Sequence, residues 1–251
     1  IKATLRTANL GRSRWKGAVF DEADFTDAQL SHADLGGASL RRARIQGAML
    51  IGTRWEGADA HGLQATEQLF YRLSLKGQSF AEAALAACQF VECELAGADF
   101  READLTQANL VSCALDGARF GGAQGKGMVF ARNCSLVEAD FSGARMQGVN
   151  FGAADMSRAR LVGSVLDGAN LCEAGLSDSD WRLASAKGAL LRRTVLRRAR
   201  LAGVNFSEAI LQHADLRGCD LRNSNLFAAD LSRARLDGDV RLEGALLKRA
   251  R

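Results

Sequence analysis

Large apolar side chains return at every fifth position along most of this chain. From Leu5 the series runs through Leu10, Trp15, Phe20 and Phe25 to Trp55 without a break. It returns from Phe80 to Phe120 and, one residue out of phase, from Leu136 to Leu236, where Ala186 is the exception. The residue two before each centre is small: Ala3, Ala8, Ser13 and Ala18 in the first block, Cys134, Ala139, Ala144 and Val149 in the third. Asp or Asn often stands just before the centre (Asn9, Asp24, Asp99, Asn150, Asp215), and Gly often two after it (Gly17, Gly37, Gly97, Gly143).

A period of five matches neither an α-helix nor a flat strand. It fits a chain that turns a corner every five residues, with the centre and its small partner pointing inward and the other three residues outward. Four such sides close a coil of about 20 residues, and coils stack at strand spacing, about 4.8 Å. Phe80, Phe100, Phe120 and Phe141 then fall in one column, and Phe90, Leu110, Phe130 and Phe151 in another. Like stacking on like is what a solenoid core requires, because each coil packs only on its neighbours. Small partners follow from the same packing: beside a column of Phe and Leu, native density leaves room for Ala, Ser or Cys.

The clearest units read Ala-Asp-Leu at 33–35, 103–105 and 214–216, and Ala-Asn-Leu at 108–110 and 169–171. In these the chain resembles the pentapeptide-repeat family over roughly nine tenths of its length. The resemblance implies an all-β fold, a right-handed quadrilateral parallel β-helix of about 20 residues per coil. The sequence departs from the family pattern in carrying Arg where Asp or Asn is usual (Arg44, Arg119, Arg145, Arg160, Arg200, Arg235).

Three interruptions organise the chain. The solenoid runs over 1–59. Residues 60–78 break the pattern, and Leu63, Leu69, Phe70 and Leu73 have helical spacing, so a looped-out helical segment is expected there, with Phe70 and Tyr71 as candidate docking residues. The solenoid resumes over 79–251. A bulge is expected near 121–135, because a centre falls on Gly125, and a one-residue slip follows Leu236. Neither end carries a cap, and the series is already running at Leu5 with no initiator Met, so a piece of a longer protein, or ends closed by a partner or by self-association, is expected.

Proline is absent, as a chain needing nearly every backbone N–H in a ladder demands. The net charge of +4 is well mixed and does not call for nucleic acid. One stretch is locally basic: from Trp181 to Ser207 there is no acid, and Arg182, Lys187, Arg192, Arg193, Arg197, Arg198 and Arg200 form a collar about one coil deep. That collar is a candidate site for an anionic partner. Cys88, Cys93, Cys113, Cys134 and Cys219 take the small inward position, so buried thiols are expected, with Cys93, Cys113 and Cys134 in one column. Neither cysteine nor histidine spacing provides a metal set, a nucleophile with its base, or a cofactor site, so no enzyme, metal or cofactor is expected.

A non-catalytic structural or protein-interaction module is the expected function. The resemblance places such repeats in bacterial proteins, cytoplasmic or secreted, among them effectors and accessory proteins of secretion systems. It also implies an alternative: some members mimic B-DNA and bind DNA gyrase, protecting it from quinolones. Mimicry needs an acidic rod, and sorting the outward charges from Leu136 onward finds Asp and Arg mixed on both sides sorted.

Overall fold

The computed structural model describes residues 3–131 and 134–251. It is the right-handed four-sided parallel β-solenoid that the period of five predicts, and the described residues contain no helix. Residues 20 apart pair in parallel, as Thr4 with Asp24, Asn9 with Gln29, Arg14 with Asp34 and Val19 with Ser39. These four rows define four sides. The sides are numbered first to fourth for the centres Leu10, Trp15, Phe20 and Phe25.

The backbone explains the sequence rules. The N–H of most centres donates to a carbonyl one coil on (Leu5 to Asp24, 2.7 Å), and the residue before a centre commonly donates one coil back (Asp24 to Ala3, 2.9 Å). Two after the centre the chain passes through the left-handed region, at Thr7 with φ 54° and Gly17 with φ 70°. Glycine takes that corner without the steric cost that other residues carry. The amide just after the centre has no rung to join. A carboxylate or amide just before the centre accepts it: Asp24 from Thr26 at 3.0 Å, Asp140 from Ser142 at 2.9 Å and Asn150 from Gly152 at 2.9 Å. This Asx turn is why Asp and Asn recur there.

Centres stack as expected. Phe80, Phe100, Phe120 and Phe141 lie face to face at 4.6–5.3 Å, and Phe90 meets Phe100 edge-on at 6.0 Å. Each tryptophan has a hydroxyl at its small inward position. The indole N–H of Trp55 donates to Thr53 at 2.8 Å, that of Trp181 to Ser179 at 2.9 Å, and that of Trp15 to Ser13. A buried indole needs such an acceptor.

On the first side the chain is most extended, as β1 (Leu69–Tyr71), β2 (Gln89–Val91), β3 (Asn109–Val111) and β4 (Val129–Ala131), paired in that order. At the start of the second side the buried thiols of Cys93, Cys113 and Cys134 stack as expected and donate to the carbonyls of Phe70, Phe90 and Leu110 at 3.2–3.4 Å.

The helical expectation for 60–78 is corrected. These residues stay in phase, with Ala60, Ala65, Phe70 and Leu75 as centres and Leu63, Gln68, Leu73 and Gln78 at the small position. Large and small have exchanged places around Leu63, where Ala60 and Ala65 leave the volume that the leucine fills. The helical spacing came from centres and overfilled small positions read together. Phe70 is fully buried, stacked 4.5 Å from Phe90, so of the proposed docking pair only Tyr71 reaches the surface.

The exchange has a consequence for the ladder. Between the coil of residues 41–60 and the next, the fourth side keeps the rung from Ile45 to Gln64 (2.9 Å) but not the one from Gly47, and the third keeps that from Ala60 to Ser79 (3.1 Å) but not the one back from Ser79. On the first and second sides the rungs from Leu50, Gly52, Trp55 and Gly57, and those back from Leu69 and Ser74, are not made. Two side-chain amides fill in. Gln68 Nε2 donates to the Ala48 carbonyl at 2.9 Å and Gln78 Nε2 to the Ala58 carbonyl at 2.6 Å. Gln68, Leu73 and Gln78 are larger than the residues this position otherwise holds, and overpacking of this kind shifts the backbone.

At Gly125 the backbone also stays in phase, donating to Arg145 at 2.8 Å. A Cβ there would lie 2.2 Å from Met146 Sδ and 3.3 Å from Met128 Sδ, so two methionines occupy the space of the missing centre. The one-residue slip comes later, between the pairs Val111–Ala131 and Ala114–Ser135. The part of the expected bulge at 132–133 lies outside the described residues. A second slip separates the pairs Asp215–Arg235 and Asp220–Arg241, as expected after Leu236.

Candidate interaction surface

The four sides differ in charge. On the first side, from Asn9 and Gly11 to Asp230 and Ser232, the residues just before and just after each centre are neutral at every coil except for Arg192 and Asp230. Several are apolar and open to solvent: Met49 is 43% exposed, Ile51 51% and Leu69 48%. Tyr71, Val91, Val111 and Val129 continue the strip, half-buried. The Tyr71 ring lies under the Arg72 guanidinium at 4.9 Å, and Arg72 is held by Glu92 at 2.7 Å. A quarter of the chain's residues are charged, so a whole side with two charges between its corners is a strong departure.

The third side is the opposite. Down successive coils the residues before its centres read Asp99, Arg119, Asp140, Arg160, Asp180, Arg200, Asp220 and Arg241, each paired in register with the next. Asp99 accepts from Arg101 at 2.7 Å and Arg119 at 2.9 Å, and Asp180 from Arg182 at 2.7 Å with Arg200 at 3.9 Å. Alternation places opposite charges across each coil step, where like charges would repel. No uniformly acidic side results.

The arginines that hold Asp99 keep its carboxyl below the usual carboxylate range, Arg101 first, against the opposing pull of burial. On the second side Arg217 and Arg197, at 2.6 and 2.7 Å, hold Asp215 further below that range. A carboxylate whose folded pKa lies below its unfolded one contributes stability that is present above the unfolded value, about 3.9. That contribution is lost as pH falls through the folded value. Melting temperature is therefore expected to drop below about pH 4, and Asp99→Asn with Asp215→Asn to lower the neutral-pH melting temperature while flattening that acid limb. An unchanged limb, read by circular dichroism between pH 2 and 7, would assign acid lability to other groups.

The basic collar surrounds the rod as expected, but acids in the coils above and below meet it. Arg198 pairs with Asp178 at 2.7 Å, Arg197 with Asp215 at 2.7 Å, Arg193 with Glu173 at 3.5 Å and Lys187 with Glu208 at 3.4 Å. Arg182 and Arg200 belong to the third-side ladder. Among the described residues only Arg192 of the seven makes no ion pair. A count of acids within the stretch misses this, because most partners stand 18 to 21 residues away. The neutral first side carried a sequence signal, the outward residues sorted by quarter coil, which a sort of two charged sides does not reach.

Among the described residues no cluster of His, Cys, Asp or Glu is arranged to hold a metal ion, and no helix is long and apolar enough to cross a membrane. Burial pushes the thiols of Cys88 and Cys219 up to about 12, and raises that of Cys134. Such thiols stay protonated and serve the core.

Geometry and surface define a parallel β-solenoid repeat protein with sides of contrasting charge. The family model for pentapeptide repeats matches in eight copies, over 3–42, 75–124, 134–171, 150–185, 183–216 and 208–238. The chain belongs to the pentapeptide-repeat family. The matched segments skip 43–74, where the overfilled positions and the broken rungs begin. Among solved structures the chain is similar to HetL, a pentapeptide repeat protein involved in heterocyst differentiation regulation from the cyanobacterium Nostoc, with 28% identity over 94% of this chain and 87% of that one, at a TM-score of 0.35. It is also similar to a trypsin-treated variant of QnrB1, a plasmid-mediated fluoroquinolone resistance protein, with 24% identity over 69% of this chain and 85% of that one, at a TM-score of 0.48. No curated protein matched the chain.

Proposed function

We propose that this chain is a non-catalytic binding rod that docks a protein partner along its first side. The carrying observation is the charge-poor strip with exposed Met49, Ile51 and Leu69. Protein interfaces are depleted of charge at their core and enriched in aromatic side chains and Met, and Tyr71 and Met49 supply both. The alternating Asp and Arg of the third side speak against mimicry of DNA, which presents unbroken negative charge. The ion-paired collar speaks against a site for an anionic partner, since all of its cations but Arg192 already have a counter-charge.

Ile51→Asp with Val91→Asp places two charges on the strip without touching an inward position. Affinity capture from native lysate, with the retained protein identified by mass spectrometry and re-measured in purified form, is expected to lose at least about tenfold in affinity with this variant. Arg197→Ser with Arg198→Ser, collar residues off the first side, is expected to bind as the parent does. The reverse result would move the site to the collar, and recovery of a topoisomerase would revive mimicry.

A further inference from the structure

We propose that the rod hinges at the seam between the coil of residues 41–60 and the one that follows. Over 136–217, rungs on all four sides lock each coil to the next, and bending would break them together. At this seam two adjacent sides have no main-chain rungs, while the other two keep those at Ile45–Gln64, Gln64–Ala43, Ala60–Ser79 and Gly62–Ala81 and lose those from Gly47 and back from Ser79. The retained rungs at Ile45–Gln64 and Ala60–Ser79 form an axis, and the first and second sides open about it.

The seam is closed by side chains in place of backbone. Gln68 and Gln78 reach across to the carbonyls of Ala48 and Ala58, which the neighbouring coils would pair with main-chain amides. Such a bridge has rotatable bonds where a backbone rung has none, so it can follow a change in coil spacing. Gln68 also keeps Oε1 buried and without a hydrogen-bond partner, although the residue is 4% exposed. An unmet acceptor in the interior favours conformations that admit a donor or water. Hinges in proteins concentrate in a few residues that absorb the movement while packed blocks on either side stay rigid. Met49 and Ile51 stand on one lip of the seam and Leu69 and Tyr71 on the other, so the hinge angle sets the spacing between the two halves of the apolar strip.

Spin labels on the second side test this. Arg14→Cys with Glu94→Cys spans the seam across four coil steps, and Asp155→Cys with Arg235→Cys spans four steps beyond it, both about 19 Å apart. Cys172→Ser removes the one cysteine that is not buried. Double electron–electron resonance is expected to give a broader distance distribution for the first pair than for the second. Gln68→Ala, Leu73→Ala and Gln78→Ala together restore small residues at the small position. In that background the first distribution is expected to narrow to match the second. Amide exchange at Leu50, Gly52 and Gly57 should then slow about a hundredfold. Equal widths for the two pairs in the parent, or a width that the triple variant leaves unchanged, would overturn the hinge.

Discussion

Leu166→Lys is expected to abolish cooperative folding of the coils around it. Leu166 is fully buried, and its neighbours in the column are Met146 one coil before and Ala186 one coil after. Neither offers a counter-charge. Losing the buried leucine costs about 2 kcal/mol. An unpaired buried charge adds about 3–5 kcal/mol. The sum is comparable with the whole stability of an ordinary domain, about 5–15 kcal/mol. Leu166→Met keeps volume and polarity, and its cost is expected to stay under about 1.5 kcal/mol. Thermal melts of the three proteins decide the matter. A Lys variant that melts with the parent would mean that residue 166 does not face inward and that the register is wrong.

Phe100→Ala removes the middle ring of the stack Phe80–Phe100–Phe120 and the edge contact with Phe90. Cavity formation at a buried Phe costs about 3–5 kcal/mol. Because coils contact only their neighbours, the loss falls on the two interfaces flanking one coil of a linear array and divides it there. Denaturant unfolding is expected to change from one transition to two, with the coils on either side of residue 100 losing structure separately. A single transition shifted by less than about 1 kcal/mol, well below that cavity cost, would show that neighbouring rings close the gap.

The fold was legible because its rule is local and repeated. The five-residue period, the small partner, the glycine corner and the phenylalanine columns each follow from side-chain size or backbone angle at one position. The exceptions were legible only in three dimensions. Leu63 and Ala65 exchange roles on one side, so a rule stated position by position reports an interruption where the volume is conserved. Gly125 leaves a hole that Met146 and Met128 fill, one of them from the next coil. The collar arginines looked unbalanced in sequence because a coil brings Asp178 beside Arg198 and Glu173 beside Arg193. Of the apolar strip, Tyr71 was named from the sequence and its neighbours were not, since residues 20 apart in sequence show their kinship only when stacked.

The alternation on the third side sets a rule for how this rod can lengthen or shorten. Its core repeats every coil, but Asp140, Asp180 and Asp220 recur only at every second one. Deleting a single coil between Asp140 and Asp180 would seat carboxylate on carboxylate at one step, whereas deleting two would leave the alternation intact. Measured on that side, the unit of inheritance is a pair of coils, and gene duplications or losses that respect it are the ones the charge pattern tolerates.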